Sequence, residues 1–426
     1  FCKDKDAIFY SAEQSNNKLN LEKFSSLVFQ FYEENNLEPF SSWSNALSYI
    51  DERQGNKKLV LVIDEFPYLV KKNRALLSEF QHLIDHKLTS GKMFLILSGS
   101  YMGFMEKEVL GSNSPLFGRR TAQLHMKPFT YQTSAKFMTG FSDEEKLMLY
   151  GAYGGTPLYL QQINEKESFE ENIKRTYLKV TSYLYEEALL LLRQEVQEPG
   201  VYSAIIEAIA SGYTKANEIS TKIGEDSAKC LKYIKILCEL GILHKETPFG
   251  EKESSRKTIY GISDFMFRFW YRYVFTNRTL IETGAQQVVW EKRIKPDYCS
   301  YMGLVFEKVC MDYLNSKNAR GELPILYTSI GRWWGTNAAT HGQEEIDLIA
   351  NDGKDYLFGE CKWRNEKLDI SVLKDLKAKA DVFRINRKNS YYVLFSKSGF
   401  TEAVLNEVRS DDSILLVDLA ELMTSC

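Results

Sequence analysis

The sequence lacks three features that would place it in a class at once: a long hydrophobic run, a paired-cysteine motif and a marked excess of basic residues. The longest aliphatic run, Leu59–Ile63, is too short to span a bilayer, and no signal-peptide pattern opens the chain. Seven cysteines form no CxxC motif, which fits reduced thiols better than a disulfide framework. The 54 Lys+Arg and 57 Asp+Glu give a net charge of −3, so no global basic field indicates nucleic acid. We therefore expect a cytoplasmic protein without a membrane segment.

What is present is enough apolar residues, 44% of 426, to build several cores. Short apolar runs predict strands at 6–12, 58–66, 93–100 and 122–128. Between them, helical patterns cover 21–35, 43–52 and 74–89. Strands separated by helices predict a parallel α/β sheet. We expect five regions: an α/β core at 1–130, a helical lid at 131–198, three helices and a hairpin at 199–263, an aromatic and basic connector at 264–297, and a second α/β domain at 298–426.

Two acids follow the most hydrophobic predicted strand. Leu59–Ile63 runs directly into Asp64 and Glu65, the form of a Walker B element. In such sites the Asp holds Mg²⁺ and the Glu polarises the water that attacks the γ-phosphate. The alternative is a core strand whose last residues simply reach solvent.

Downstream residues add candidates for nucleotide sensing. Ser98 and Ser100 end the next predicted strand, where a polar side chain would touch a γ-phosphate. Arg119 and Arg120 follow in LFGRR and could neutralise phosphoryl charge, in cis or across a subunit boundary. Pro157, in GGTP, opens a helix whose first N–H groups could face a nucleotide. Taken singly, each has a structural alternative: a turn serine, a surface arginine pair and a helix start.

Together, LVLVIDEF, ILSGS, PLFGRR, KPF and YGGTPLYL resemble an AAA+-like family of archaeal-type ATPases close to the STAND branch. The resemblance implies ATP and Mg²⁺ as cofactors and oligomers formed through arginine-finger contacts. The chain departs from the family in having no GxxxxGK[ST] motif. The chain also begins with Phe rather than Met, and we expect roughly 20 to 40 further residues upstream that carry a Walker A motif. We expect its strand to lie between those ending at Asp64 and Ser98.

The middle region has the order of elements expected of a winged helix, because three helical patterns precede a polar hairpin. Lys229, Lys232 and Lys235 lie on the third helix, the one that would read DNA. Residues 201–260 hold nine Lys+Arg against eight Asp+Glu, which leaves DNA contact and a spacer role open. The connector at 264–273 interleaves aromatics with arginine. Base stacking is one interpretation, and a buried interdomain wedge is the favoured one.

The last region carries a second acidic constellation. Asp347 lies on one predicted strand, while Glu360 and Lys362 share one face of the next, so a hairpin would bring the three together. Two carboxylates suit a hard cation and the ammonium could orient a water, with Glu307 completing the cluster. YMGLVFEKVC, GRWWG and EEIDLIA…YLFGECKW resemble PD-(D/E)XK nucleases, and more narrowly the uncharacterised domain that accompanies these ATPases. That resemblance implies that Asp347 and Glu360 bind Mg²⁺ and that Lys362 assists phosphodiester hydrolysis. A salt-bridge set without cleavage is the alternative.

The expected fold is α/β: an N-terminally truncated AAA+-like P-loop NTPase sheet with a helical lid, a winged helix and a C-terminal restriction-endonuclease-like domain. The expected function is an ATP-dependent switch or motor acting on nucleic acid, DNA above all, with a metal-dependent nuclease-like output domain. The alternative function is a non-cleaving signalling scaffold that binds DNA or a partner.

Overall fold

The computed structural model of the protein describes residues 2–35, 37–54, 57–86, 92–100, 102–337, 341–383 and 387–424. It divides into two compact units, residues 1–126 and 127–426. Among the described helices, none has both the length and the apolar character needed to cross a membrane.

The first unit is built on three parallel strands in the order β1 (Ala7–Ser11), β2 (Leu59–Asp64) and β3 (Met93–Leu97). All five aliphatic residues of Leu59–Ile63 are buried, because β2 is the central strand and helices cover the sheet. Its helices are α1 (Asn17–Phe31), α2 (Trp43–Gln54), α3 (Phe66–Lys72), α4 (Leu76–His86) and α5 (Met102–Phe104), followed by a π-helical turn at Met105–Val109.

Two expectations about this sheet are wrong. First, β2 pairs directly with β3, with Ile63 opposite Leu97, so no further strand lies between those that end near Asp64 and Ser98. Second, residues 122–128 form no strand, and Leu124 and Met126 are 83% and 73% exposed. An apolar pattern becomes a strand only where a neighbouring strand accepts its hydrogen bonds. In the described structure residues 122–128 have no such neighbour.

The second unit begins with five helices, two of which start with reciprocal capping boxes: Ser142 with Glu145, and Ser168 with Glu171. The helices are α6 (Tyr131–Ala135), α7 (Asp143–Tyr153), α8 (Pro157–Leu160), α9 (Phe169–Tyr177) and α10 (Tyr183–Glu195). Gly155, just before α8, accepts a backbone hydrogen bond from Phe129 at 2.8 Å. Three more helices and an antiparallel hairpin follow: α11 (Pro199–Ala210), α12 (Ala216–Ile223), α13 (Ser227–Glu239), β4 (Leu243–Glu246) and β5 (Ile259–Ile262).

The connector packs as an interior wedge. All its aromatic side chains from Phe265 to Tyr273 are buried, at most 6% exposed, so none of these rings is available to stack on bases. Trp270 donates to the carbonyl of Tyr185, and Tyr271 to the hydroxyl of Ser203, which ties the connector to α10 and α11. Its helical segments are α14 (Phe265–Phe269), a π-helical turn (Trp270–Val274), a 3₁₀ turn (Phe275–Asn277), α15 (Arg278–Glu282), α16 (Gln286–Val289) and a second π-helical turn (Trp290–Ile294).

The last region is a mixed five-stranded sheet in the order β10-β9-β8-β7-β6. Strands β6, β7 and β8 form an antiparallel meander, whereas β8, β9 and β10 run parallel and are joined through helices. The elements are α17 (Tyr298–Ala319), β6 (Ser329–Thr336), β7 (Gln343–Asn351), β8 (Tyr356–Lys362), α18 (Ile370–Val382), β9 (Ser390–Ser396), α19 (Glu402–Ser410), β10 (Ile414–Asp418) and α20 (Leu419–Thr424).

The close approach at Gly155 gives a test of this packing. A Cβ at Gly155 would lie 2.0 Å from the carbonyl oxygen of Phe129, a backbone atom that cannot swing aside. We expect Gly155→Ala to destabilise the fold by about 1–3 kcal/mol. Gly200→Ala is the matched control, because that Cβ would meet nothing within 4 Å and alanine favours its helix α11. Thermal denaturation should show a lower Tm for the first variant only; equal Tm values would contradict this packing.

Candidate functional site

The carboxyl edge of the first unit's sheet holds two acid–hydroxyl pairs. Asp64 ends β2, and its Oδ1 accepts a hydrogen bond from the Ser98 hydroxyl at 2.7 Å. Glu65 is the next residue, and its Oε2 accepts from Ser100 at 3.3 Å. Both acids are half-buried. The two strand ends thus bring together the four side chains that the sequence placed there.

The backbone at Glu65 is unusual. Its φ of 52° lies in the left-handed region, and it is the N-cap residue of α3. A non-glycine residue in that conformation costs of order 1 kcal/mol or more and persists only where its surroundings enforce it. Here the Phe66 N–H donates to the Ser98 carbonyl at 2.9 Å, and the Ser98 N–H donates to Ile63 at 3.0 Å. The turn is therefore clamped to β3, which fixes the direction of the Glu65 side chain.

The two arginines after this sheet have different surroundings. Arg119 makes a bidentate pair with Asp85 at 2.7 and 2.8 Å and donates to two carbonyl oxygens nearby. Hydrogen bonding to Arg119 lowers the pKa of Asp85. Arg120 is exposed and bonds only to the neighbouring Gln123 within the described chain. Arg120 is thus the freer of the two guanidinium groups.

In the second unit, Pro157 is the first residue of α8, which is only four residues long, and it is exposed. Lys229, Lys232 and Lys235 lie at i, i+3 and i+6 on α13 and are all exposed. Lys229 pairs with Glu225 at 3.1 Å, and Lys235 lies 3.9 Å from Glu239. The α13 lysines therefore face solvent, with part of their charge balanced by Glu225 just before the helix and by Glu239 at its end.

A second cluster forms on the C-terminal sheet. Leu348 on β7 lies opposite Gly359 on β8, so Asp347 and Glu360 come at the next opposed positions. Both are buried, at 8% and 4% exposure. Asp347 Oδ2 accepts a hydrogen bond from the Cys361 backbone N–H at 2.8 Å. The meander thus brings two carboxylates together in a place where water cannot screen them.

Two ammonium groups share the Glu360 carboxylate. Lys362, two residues along β8, donates to Oε1, as a shared strand face requires. Lys379 reaches in from α18 and lies 3.1 Å from both carboxylate oxygens. Sequence reasoning missed Lys379, because nothing in the pattern of α18 says which strand its lysines will meet.

Glu307 joins the cluster from α17, with Arg332 of β6 beside it. Arg332 sits where the register of β6 shifts between Gly331 and Trp333. Its guanidinium lies 2.6 Å from Glu345, 3.8 Å from Glu246 and 3.9 Å from Glu307. No motif in the sequence singled out Arg332. It is nevertheless the cation that offsets this acidic group.

The segment after β4 is fastened to the same place. The Phe249 N–H donates to the Arg332 carbonyl at 2.8 Å, and the Phe249 ring packs on Phe383 with centroids 6.2 Å apart. Glu246, at the end of β4, faces the Arg332 guanidinium. The hairpin thus contributes a wall of the C-terminal cluster.

Burial and mutual repulsion govern the titration of the cluster. Burial, followed by the charge of Glu360, raises the pKa of Asp347 to about 6, although Lys362 opposes the rise. Burial and then the charge of Asp347 raise the pKa of Glu307 to about 8, with Arg332 opposing. Desolvation disfavours the charged form of Lys362, but the carboxylates of Glu360 and Asp347 outweigh it and raise its pKa. Perturbed pKa values that arise from burial together with specific charged partners in one cleft are typical of functional sites.

The donor set fits a divalent cation held mainly by water and substrate. In the described ranges, no three His, Cys, Asp or Glu side chains are arranged to hold a metal ion together. Mg²⁺ commonly uses only one or two carboxylates and completes its octahedron with waters and phosphate oxygens. Asp347 and Glu360 could supply that pair, with Glu307 as an outer acceptor. A cation there would compete with Lys362 and Lys379 for Glu360.

The raised pKa of Glu307 predicts how stability depends on pH. An acid whose folded pKa lies near 8 instead of 4.5 binds its proton more tightly when folded, so its favourable contribution is present at low pH and is lost as pH rises through 8. We expect Glu307→Gln in EDTA to raise the Tm by a few degrees near pH 9 and by little near pH 5. The exposed Glu366→Gln is the control. A gain that does not vary with pH would contradict the assignment.

Comparison with known proteins matches two regions of this chain. Residues 2–163 match the family described as an ATPase domain predominantly from Archaea. Residues 270–378 match the family described as archaeal and bacterial proteins of unknown function. The second match contains Glu307, Asp347, Glu360 and Lys362 but ends one residue before Lys379.

Among curated proteins, the chain is 32% identical over 425 residues to Uncharacterized protein MJECL04 of Methanocaldococcus jannaschii, covering 98% of this chain and 90% of that one. Uncharacterized protein MJ0424 of the same organism is 42% identical over 52 residues, covering 12% of this chain and 50% of that one.

Two solved structures are similar to this chain with low sequence identity and low TM-scores. The Walker-type ATPase paby2304 of Pyrococcus abyssi matches with 20% identity and a TM-score of 0.47, over 62% of this chain and 84% of that one. Cdc6p of Pyrobaculum aerophilum matches with 13% identity and a TM-score of 0.30, over 66% and 81%. With TM-scores below 0.5, neither bears on this chain's activity. The curated relative is long and similar enough to decide membership: the chain belongs to the family of MJECL04, and it carries the archaeal ATPase domain at residues 2–163 and the domain of unknown function at 270–378.

Proposed function

We propose that the protein is an ATP-dependent switch or motor of the AAA+ type, close to the STAND branch, that acts on nucleic acid. Its C-terminal domain is a metal-dependent phosphodiesterase of the PD-(D/E)XK type. The observation that carries the proposal is the pair of buried carboxylates, Asp347 and Glu360, held together with two ammonium groups.

For the ATP site, the support is the ATPase-domain match together with the strand-end geometry. ATP with Mg²⁺ would supply the γ-phosphate and a bridging cation. Asp64 would face the cation with a carboxylate whose Oδ1 is oriented by Ser98. Glu65, fixed by its left-handed backbone, would accept a proton from the attacking water. Arg120, rather than the paired Arg119, is suited to act in trans within a homo-oligomer.

For the phosphodiesterase site, each residue has a role that its surroundings favour. Asp347 and Glu360 would hold Mg²⁺ while phosphate oxygens complete its shell. Lys362 would turn toward the scissile group once the cation takes over part of Glu360, and it would orient the attacking water. Lys379 would remain on Glu360 and keep that carboxylate in place. The α13 lysines would contact DNA as the recognition helix of a winged helix whose β4–β5 hairpin packs on the C-terminal cluster.

A second candidate function is a scaffold that binds nucleic acid or a partner without cutting it. The observation that favours it is that Glu360 already has two ammonium partners. A carboxylate that is fully paired gains less from a metal ion than a bare one does. The two functions differ in whether cation binding displaces a lysine.

The ATPase assignment is tested by the Glu65→Gln substitution. The substitution keeps the shape and removes the proton acceptor, so a fluorescent ATP analogue should still bind while phosphate release falls by orders of magnitude. Glu52→Gln, on the exposed face of α2, is the control and should hydrolyse ATP at the normal rate. Unchanged turnover in the first variant would remove Glu65 from this role.

The nuclease assignment is tested by plasmid cleavage in Mg²⁺ or Mn²⁺. Asp347→Asn should abolish cleavage, and Lys362→Ala should reduce it about a hundredfold or more, while ATP hydrolysis continues. Asp352→Asn is the matched control, since the hydrogen bonds that its side chain accepts from the described residues belong to the turn of the same β-hairpin. If pure wild-type protein binds DNA and never cuts it in either metal, the scaffold function replaces the nuclease.

A further inference from the structure

The connector carries one cation that the proposed function leaves without a role. Arg268 lies on α14, partly enclosed, with its guanidinium 5.2 Å from the centre of the Tyr301 ring. In the described part of the chain, no carboxylate comes within ion-pairing distance of the guanidinium and no hydrogen bond engages it, although the backbone N–H of Arg268 donates to Asp264. Burying a charged group without a partner is costly, so such a side chain needs an explanation.

Its neighbour on the same segment shows what an ordinary structural arginine looks like here. Arg272, one turn along, makes a bidentate pair with Asp297 at 2.7 and 2.8 Å, and that pairing raises its pKa. Desolvation instead lowers the pKa of Arg268, with Tyr301 and Glu307 only partly opposing it. The two arginines therefore differ in the feature that matters: one is neutralised within the protein and the other is not.

Arg268 shares its surroundings with other basic side chains. Desolvation, then the charges of Arg268, Lys308 and Arg332, lowers the pKa of His244 to about 4. His244 lies on β4 and bonds to the Ser263 hydroxyl at 3.0 Å. Lys308 is on α17, where it pairs with Asp312. Basic and polar side chains of the β4–β5 hairpin, α14 and α17 thus lie near the Arg268 guanidinium. Among the described residues, that guanidinium has no carboxylate partner.

This place adjoins the carboxylate cluster. Glu307 is close enough to Arg268 to oppose its pKa shift, it lies 3.9 Å from Arg332, and the charge of Asp347 raises its pKa. Glu307 is therefore the common neighbour of Arg268 and the candidate metal pair. If a nucleic-acid strand bound with its scissile phosphate at Asp347 and Glu360 and continued past Glu307, a neighbouring phosphate of that strand would be the group that meets Arg268.

We propose that Arg268 binds a backbone phosphate of nucleic acid next to the candidate phosphodiesterase site. The substrate class rests on the proposed function, but the binding role does not require cleavage. Arginine suits this role because its planar fork matches phosphate oxygens in a bidentate manner. The Tyr301 ring supports the guanidinium at 5.2 Å, and no protein acceptor among the described residues engages its nitrogens.

The test is binding of a fluorescently labelled duplex oligonucleotide in EDTA, where no cutting occurs. Arg268→Gln should weaken binding about tenfold, the effect of losing one charge-assisted hydrogen-bonded contact. It should also reduce the slope of log K against log salt by about 0.9, as expected for one lost phosphate contact. Its Tm should be unchanged or higher, because an unpaired charge has been removed.

Arg272→Gln is the matched control: it removes the same charge one turn away, and it should lower the Tm while leaving the salt slope as in the wild type. If Arg268→Gln fails to fold, Arg268→Lys serves instead. That variant should keep the salt slope and lose affinity, because lysine lacks the bidentate fork. Wild-type affinity in a folded Arg268 variant would overturn the inference.

The outcome is separable from that of the proposed function. Duplex binding that depends on Arg268 in a protein that never cuts would sustain the inference and end the nuclease assignment. If the wild type cuts DNA in a metal-dependent manner and Arg268→Gln binds the duplex as tightly as the wild type, the nuclease assignment is sustained and the inference fails. A wild-type protein that does not bind the duplex would overturn the inference outright.

Discussion

The arrangement of the C-terminal domain depends on one electrostatic constraint: two carboxylates buried on neighbouring strands must be neutralised. Asp347 and Glu360 are almost inaccessible to water and lie at opposed positions. Uncompensated, such a pair would cost several kcal/mol. The protein compensates Glu360 with Lys362 and Lys379, and Asp347 with a backbone N–H.

The charged cluster around these carboxylates draws elements from across the second unit. Lys379 comes from α18, Glu307 from α17 and Arg332 from the irregular part of β6, while Glu246 and Phe249 come from β4 and the segment that follows it. The β4–β5 hairpin is thereby fixed on the C-terminal domain, whereas the exposed face of α13 remains open. A protein that used the α13 helix on DNA could thus hold the duplex while the hairpin stays on the carboxylate cluster.

Short-range patterns in the sequence predicted the local parts of both candidate sites. A strand ending in Asp64 must deliver that carboxylate to the sheet edge, and residues two apart on β8 must share a face. The sequence patterns did not indicate which strands pair with each other in the sheet. Motif order does not say which strands are neighbours, so the direct pairing of β2 with β3 was missed. An alternating apolar segment at 122–128 does not say whether a partner strand exists.

Contacts between elements that are distant in the sequence were also not predicted. Lys379 and Arg332 are ordinary lysine and arginine residues in the sequence, and only the folded chain brings them to Glu360 and Glu307. The same holds for Arg119, which pairs with Asp85 across 34 positions. This pairing gives Arg119 a structural role that the LFGRR motif does not indicate. The distinction between Arg268 and Arg272 also needs the structure, because only the partners of each guanidinium separate them.

The measurement that tests the central claim most directly is a crystal structure of the protein soaked with Mn²⁺, read by its anomalous scattering. The account predicts a peak between the carboxylates of Asp347 and Glu360, with Lys362 displaced from Glu360 and Lys379 still in contact. Saturating Mn²⁺ with no peak there, and with both lysines still on Glu360, would contradict it. The cluster would then be a purely structural ion-pair network.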